Sequence, residues 1–191
     1  MPDDRDHGAT ALSIAAALRP LDPGALAALR RMTGDGSVPA YWRLAASRPM
    51  LSDAPEKWVP IVRAIGILTP KGAPEDRSDL HDAARPLGKV LCDGGDPDWP
   101  GKLGPGQKPK PKLSERRLAQ LLAARGAQRT ILLTRAIRAL AASRSGKMGV
   151  HVPDIAWAFL RADPSDMLAR PYYQCLDRAE RAAHTETRAD A

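Results

Sequence analysis

Arg135 and Arg138 lie three residues apart in the stretch 128–143, QRTILLTRAIRALAAS. At 100° per residue they share one helix face, opposite Leu133, Ala136, Ile137 and Leu140. Two guanidinium forks at this spacing can engage successive phosphates and stay charged while doing so. They belong to a larger cluster. Residues 101–147 hold 12 Lys or Arg and a single acidic residue, Glu115, for a balance of +11. Residues 1–100 hold 12 basic against 14 acidic residues, and residues 148–191 hold 5 against 7, so each flank is −2. The net +7 of the chain therefore originates in one central quarter. A merely solvated Arg-rich helix face would not require such segregation, and a clustered basic face points to a polyanion. The candidate contacts in this segment are Arg116, Arg117, Arg125, Arg129, Arg135 and Arg138. Arg129 projects closest to the apolar side of the wheel.

Other chemistry finds little support. Gly95 to Gly101-Lys102 has five intervening residues instead of the four of a phosphate loop, and Leu103 stands where Ser or Thr would bind magnesium. Ser145-Gly146-Lys147-Met148 fails the same test. His7, His81, His151 and His184 are dispersed, with no spacing that puts two metal ligands on one helix face. Asp93, Asp96 and Asp98 lack the spacing and closing Glu of a calcium loop and read as a solvated turn. Cys92 and Cys175, 83 positions apart, read as small buried hydrophobes in a reducing, cytoplasmic setting. The sequence thus predicts no catalytic residue, no metal and no cofactor. Tyr41, Trp42, Trp58, Trp157, Tyr172 and Tyr173 sit in apolar helical segments and read mostly as core. Trp99, in a Gly/Pro-rich loop beside Lys102, is placed equally well against a partner or against its own domain.

The elements that must carry these residues are helical. Of 191 residues 33 are Ala and only 4% are aromatic, which favours helix over strand. A hydrophobic fraction of 43% and a charged fraction of 27% are globular values. The start, MPDDRDHGAT, does not read as a secretory signal, and no apolar run is long enough to span a membrane. Caps and periodicity predict helices near 9–19, after Asp22-Pro23, over 38–46, 58–68, 114–125 and 128–143, and two more in 153–183, with a short element of open type at 86–91. Asp53 with Glu56 resembles a capping box, Pro60 fits a first turn or a kink, and 61–68 keeps a short strand open as an alternative. Pro171 predicts an interruption in the last helix, and the tail TETRADA predicts fraying. The expected fold is all-α, one or more helical bundles in one compact unit with room for two small helical subdomains. Its parts are an N-terminal helical region 1–91, a Gly/Pro/Lys-rich loop 92–112, and a basic helical region 113–191.

Four stretches in order, 24–32 (GALAALRRM), 38–44 (VPAYWRL), 86–91 (PLGKVL) and 113–122 (LSERRLAQLL), resemble the small subunit of the type I-E CRISPR Cascade complex, the CasB family. The later 170–173 (RPYY) is similar to the aromatic C-terminal helix of that family. The resemblance spans about 10–180, and the 92–112 insertion is longer than a compact member would carry. It implies an all-α subunit without catalysis. It implies two copies head-to-tail in a guide-RNA assembly with other Cascade subunits, bound to guide RNA and to target and non-target DNA. The implied role in antiviral defence is to stabilise the R-loop by holding the displaced non-target strand. Arg30, Arg31, Arg43 and Lys89 lie in the matching motifs and join the candidate contacts. Two other classes remain open. One is an independent DNA-binding regulator with a helix-turn-helix at 114–125 and 128–143, joined at Gly126. The other is a structural adaptor whose basic face meets an acidic protein.

Overall fold

Proline opens half of the ten α-helices among the described residues. It occupies the first turn of α2 (Pro23–Arg31), α3 (Pro39–Ala45), α4 (Pro49–Asp53), α5 (Pro55–Leu68) and α9 (Val152–Leu160). There its missing N–H costs nothing, because first-turn amides lack intrahelical partners in any case. Asp22 completes the start of α2, its Oδ1 accepting from the Ala25 amide at 2.8 Å. The remaining helices are α1 (Asp4–Leu18), α6 (Leu87–Asp93), α7 (Glu115–Ala123), α8 (Gly126–Ser143) and α10 (Ser165–Ala189). The computed structural model describes residues 4–34, 36–104, 107–143 and 148–189. Among these there are ten α-helices and no strand, only an isolated bridge between His81 and Val150. The fold is all-α, as the Ala-rich composition predicts. Residues 144–147, the end of the basic segment 101–147 and most of the rejected Ser145–Met148 phosphate-loop match, lie outside the described residues.

Helix α5 is the central post. Trp58, Val59, Ile61, Val62, Ile65 and Leu68 are buried around nearly its whole circumference, which marks a helix enclosed by others. α1, α2 and α4 pack on it from the N-terminal part of the chain, α8 and α9 from the C-terminal part. α9 also lies along α1, and Gly8 admits the Trp157 ring there. The second strong pairing is α6 on α10. A continuous buried cluster runs through both, from Ile14 and Leu29 to Leu118, Ile137, Tyr172 and Leu176.

Several local expectations fail for identifiable reasons. Asp53 ends α4 instead of capping α5, whose N-cap is Ala54 without a side-chain bond. The stretch 61–68 is helix throughout, and Pro60 falls in its second turn. α10 continues through Pro171 without a break and on to Ala189. A proline near a helix start sacrifices one hydrogen bond, and burial of Leu168, Tyr172, Leu176 and Ala179 outweighs that loss.

The loop after α6 is closed at its base. Gly94 ends α6 at φ +72°, and Lys112 and Leu113 return to donate to the carbonyls of Cys92 at 2.8 Å and Leu91 at 2.9 Å. Trp99 packs back on the core, and its Nε1 donates to the Lys110 carbonyl at 3.2 Å. Tyr172 Oη, fully buried, donates to the Leu113 carbonyl at 2.5 Å and so fixes the start of α7 to α10.

α6 and α10 touch backbone to backbone at Gly88. A Cβ there would overlap the Leu168 carbonyl oxygen. Gly88→Ala is expected to lower unfolding free energy by more than about 2 kcal/mol, the range of core overpacking, as read by urea denaturation.

The junction of residues 80–86 with 150–154 is polar and titratable. The Val152 amide donates to His81 Nδ1 at 3.3 Å, and His151 Nδ1 lies 2.7 Å from Asp154 Oδ1. Burial and the neighbouring His151 push the His81 pKa down, while Asp82 and Asp154 pull it up less strongly. The fold therefore favours neutral His81, and the unfolded chain binds the extra proton below the ordinary value of 6.5. Stability is expected to be full above that value and to fall as pH drops through and below it. Melting temperature measured across this range should show the decline. His81→Asn, which keeps an acceptor near Nδ1 but cannot titrate, should flatten it.

Candidate nucleic-acid interface

α8 forms a ridge whose inner side is set by burial of Leu133, Ala136, Ile137 and Leu140. The same periodicity turns Arg135 and Arg138 outward, and both are exposed. Gly126, at φ +52°, makes the sharp joint that folds α7 back onto α8. Leu118 and Leu121 hold α7 in place, which leaves Arg116 and Arg117 in solvent.

Two grooves flank the ridge, and Arg135 lines both. Between α7 and α8, Leu113, Leu121, Leu132, Ala136 and Ala139 make a largely apolar trough of about 350 Å³ with Arg117 and Gln120 on its side. Between α5 and α8, a groove of about 320 Å³ holds Arg63, Arg135 and Arg138 with Thr130 and Thr134. Glu56 is the carboxylate in its lining. Arg63 Nη1 donates to the Met32 carbonyl at 3.1 Å, and its Nε is buried without a hydrogen-bond partner. Burial and, next, the positive charge of Arg138 lower the Arg63 pKa. Like charges are thus held close with little local neutralisation, an arrangement an incoming anion relieves.

The structure brings Arg117, Arg135 and Arg138 into one band and adds Arg63, which the sequence reading missed. The signal for Arg63 was a lone cation in the otherwise apolar WVPIVRAIGIL. Arg31 is exposed at the end of α2, beside the Met32 that Arg63 holds, and Arg43 is exposed on α3. Lys89 is half-buried on α6, where it faces the field of Asp93.

Three candidates are engaged by the fold itself. Arg30 donates from Nε to Gly66 and from Nη2 to Thr69, each carbonyl at 2.8 Å. Arg129, 8% exposed, donates to Ala162 at 2.7 Å and Arg161 at 2.8 Å. Arg125 folds back on the end of α7, Nη1 donating to Leu122 and Ala124. Among the aromatics, Tyr41, Trp58 and Tyr172 are buried as expected, but Trp42 and Tyr173 stand exposed.

Elsewhere the chemistry is structural. Asp93 Oδ1 accepts from Gly95 and Asp96 Oδ1 from Asp98, which makes the acidic segment a sequence of turns. Cys92 and Cys175 are free thiols in hydrogen-bond contact across the α6–α10 seam, an adjacency invisible in their sequence spacing. Among the described residues no three His, Cys, Asp or Glu side chains are grouped to hold a metal, and no helix is long and apolar enough to cross a membrane.

Replacing an arginine separates the two kinds of role. Arg129→Ala should destabilise the chain by about 2 kcal/mol or more, because a buried guanidinium that donates to the two carbonyls at the end of α9 is lost. Arg135→Ala and Arg138→Ala should each stay within about 0.5 kcal/mol of the parent, as exposed substitutions do. Denaturant midpoints of the three variants check this.

Comparison with known proteins bears on the same stretch of chain. The family model described as CRISPR-associated protein Cse2 matches residues 25–174, from α2 to the middle of α10, and so spans α5, α7 and α8, the three helices that build the ridge and its grooves. No curated protein and no solved structure matches the chain. The matched region covers well over half of the 191 residues, and the chain belongs to the CRISPR-associated Cse2 family, the small subunits of type I-E Cascade complexes.

Proposed function

We propose that this subunit stabilises the R-loop by holding the displaced non-target DNA strand on the band formed by Arg63, Arg117, Arg135 and Arg138. The observation that carries the proposal is the convergence of these four side chains from α5, α7 and α8 on two adjoining grooves. Arg31, Arg43 and Arg116 extend the positive surface, and Lys89 supplies a further cation on α6. Arg30, Arg125 and Arg129 support the fold beneath it. The subunit works without catalysis, in the cytoplasm, beside guide RNA and a second copy of itself.

The energetics require little of it. Sequence is read by pairing between guide and target strand, and the heteroduplex is about as stable as the duplex it replaces. A modest bias on either side decides whether the loop persists. Arginines on a displaced strand supply that bias through phosphate contacts that carry no sequence information. An autonomous helix-turn-helix regulator is less well supported. Such a motif reads base edges from the first turn of its second helix. Here that turn offers exposed Gln128, while Arg129 is buried against the end of α9.

The test is a reconstituted guide-RNA effector with and without this subunit, its displaced strand footprinted by single-strand-specific probing. The subunit should tighten target binding and protect the displaced strand. Arg135→Ala combined with Arg138→Ala should weaken both and reduce the log–log salt slope by about 1.4, two single-strand phosphate contacts. An effector indifferent to the subunit would refute the proposal.

A further inference from the structure

The groove between α7 and α8 differs in kind from the one between α5 and α8. Its floor is aliphatic, from Leu113, Leu121, Leu132, Ala136 and Ala139. A smaller extension of about 130 Å³ continues it past Ala139 and Leu140 toward Leu91, with Lys112 at the side. Neither part is lined by a carboxylate; the charged residues are Lys112, Arg117 and Arg135. A surface meant only for phosphates gains nothing from an apolar floor, since phosphates stay solvated.

The floor is also held in a fixed position. Leu113 donates its amide to Leu91 at 2.9 Å and accepts at its carbonyl from Tyr172 Oη at 2.5 Å. Ala136 and Ala139 are the small residues on α8 that leave the trough open. A volume near 350 Å³ is at the small end of ligand pockets, roughly 300–1,000 Å³, and suits a single planar ring system. Gln120 offers both a donor and an acceptor at the side, and the guanidinium planes of Arg117 and Arg135 can stack on a base while binding its flanking phosphates.

We propose that this groove receives an unstacked base of the single strand whose phosphates lie on Arg117 and Arg135. The inference rests on the strand-binding function above and adds a base-dependent, sequence-tolerant contact to it. Charge complementarity selects the occupant: cations alone ring an apolar trough, which matches a ring system tethered between two phosphates.

The experiment uses the full chain at low salt with two fluorescent probes, a short oligothymidylate and an abasic oligomer of the same length and charge. The oligothymidylate should bind about fivefold more tightly, since burying even one base contributes on the order of 1 kcal/mol. Ala139→Leu places an aliphatic side chain in the trough from an exposed position and should abolish that preference while leaving abasic binding unchanged. Ala119→Leu, at an exposed alanine of α7 outside the groove lining, should retain it. Equal binding of the two probes that still depends on Arg138 overturns the base groove and leaves the strand-binding function standing. Binding of neither probe, or binding indifferent to Arg138→Ala, overturns both. A base preference that survives Ala139→Leu overturns the assignment to this groove.

Discussion

A helix end leaves carbonyls without partners, and a fold built from ten mostly short helices has many such ends to satisfy. This chain meets the constraint largely with arginine. Arg30 reaches the end of α5, Arg63 the end of α2, Arg129 the end of α9, and Arg125 the end of the α7 it follows. Arg48 binds the Leu44 carbonyl near the end of α3 and Ser13 in α1, and Arg85 binds Gly95 just beyond α6. Arg77, only 3% exposed, donates to Arg19, Leu21 and Gly72 and ties the loop after α5 to the exit of α1. A guanidinium suits the task because its forked donors span two carbonyls and its charge meets the negative pole of the helix.

The caps also connect distant parts of the chain. Arg30 joins α2 to residues 36–40 positions later, and Arg129 joins α8 to α9 more than thirty positions on. Tyr172 does the same for α10 and α7. The ridge that carries Arg135 and Arg138 is thereby held from below: α8 by Arg129 and its apolar face, α7 by Leu113 and its own terminal cap. Cations on a fixed scaffold lose less side-chain and backbone freedom on meeting an anion than cations on a mobile loop do.

This division of labour explains what the sequence revealed and what it concealed. Alanine content, proline-led starts and the 3.6-residue period disclosed the all-α class and most helices, because those signals are local. The wheel placed Arg135 and Arg138 correctly on the solvent side for the same reason. It placed Arg129 near the apolar edge but had no access to the α9 carbonyls that occupy it. Arg30 looked like any other exposed cation of an amphipathic helix until Gly66 and Thr69 came beside it. Arg63 was concealed the opposite way, as one charge in an apolar run, and only the approach of α8 reveals that it shares a groove with Arg138. Pro171 and Asp53 misled because tertiary burial outweighed a local rule in one case and a short extra helix claimed the cap in the other.

The arginines of the groove between α5 and α8 differ from the purely capping ones in what surrounds their charge. Arg129 lies among carbonyl dipoles that stabilise it continuously. Arg63, although one of its nitrogens caps α2, is held below its ordinary pKa, first by burial and next by the positive charge of Arg138. An anion arriving between Arg63 and Arg138 would gain its own attraction and offset their like charge. Screening works against it over about 8 Å at physiological salt, which keeps the attraction local. The attraction of such a surface therefore acts only on an anion that already lies along the ridge.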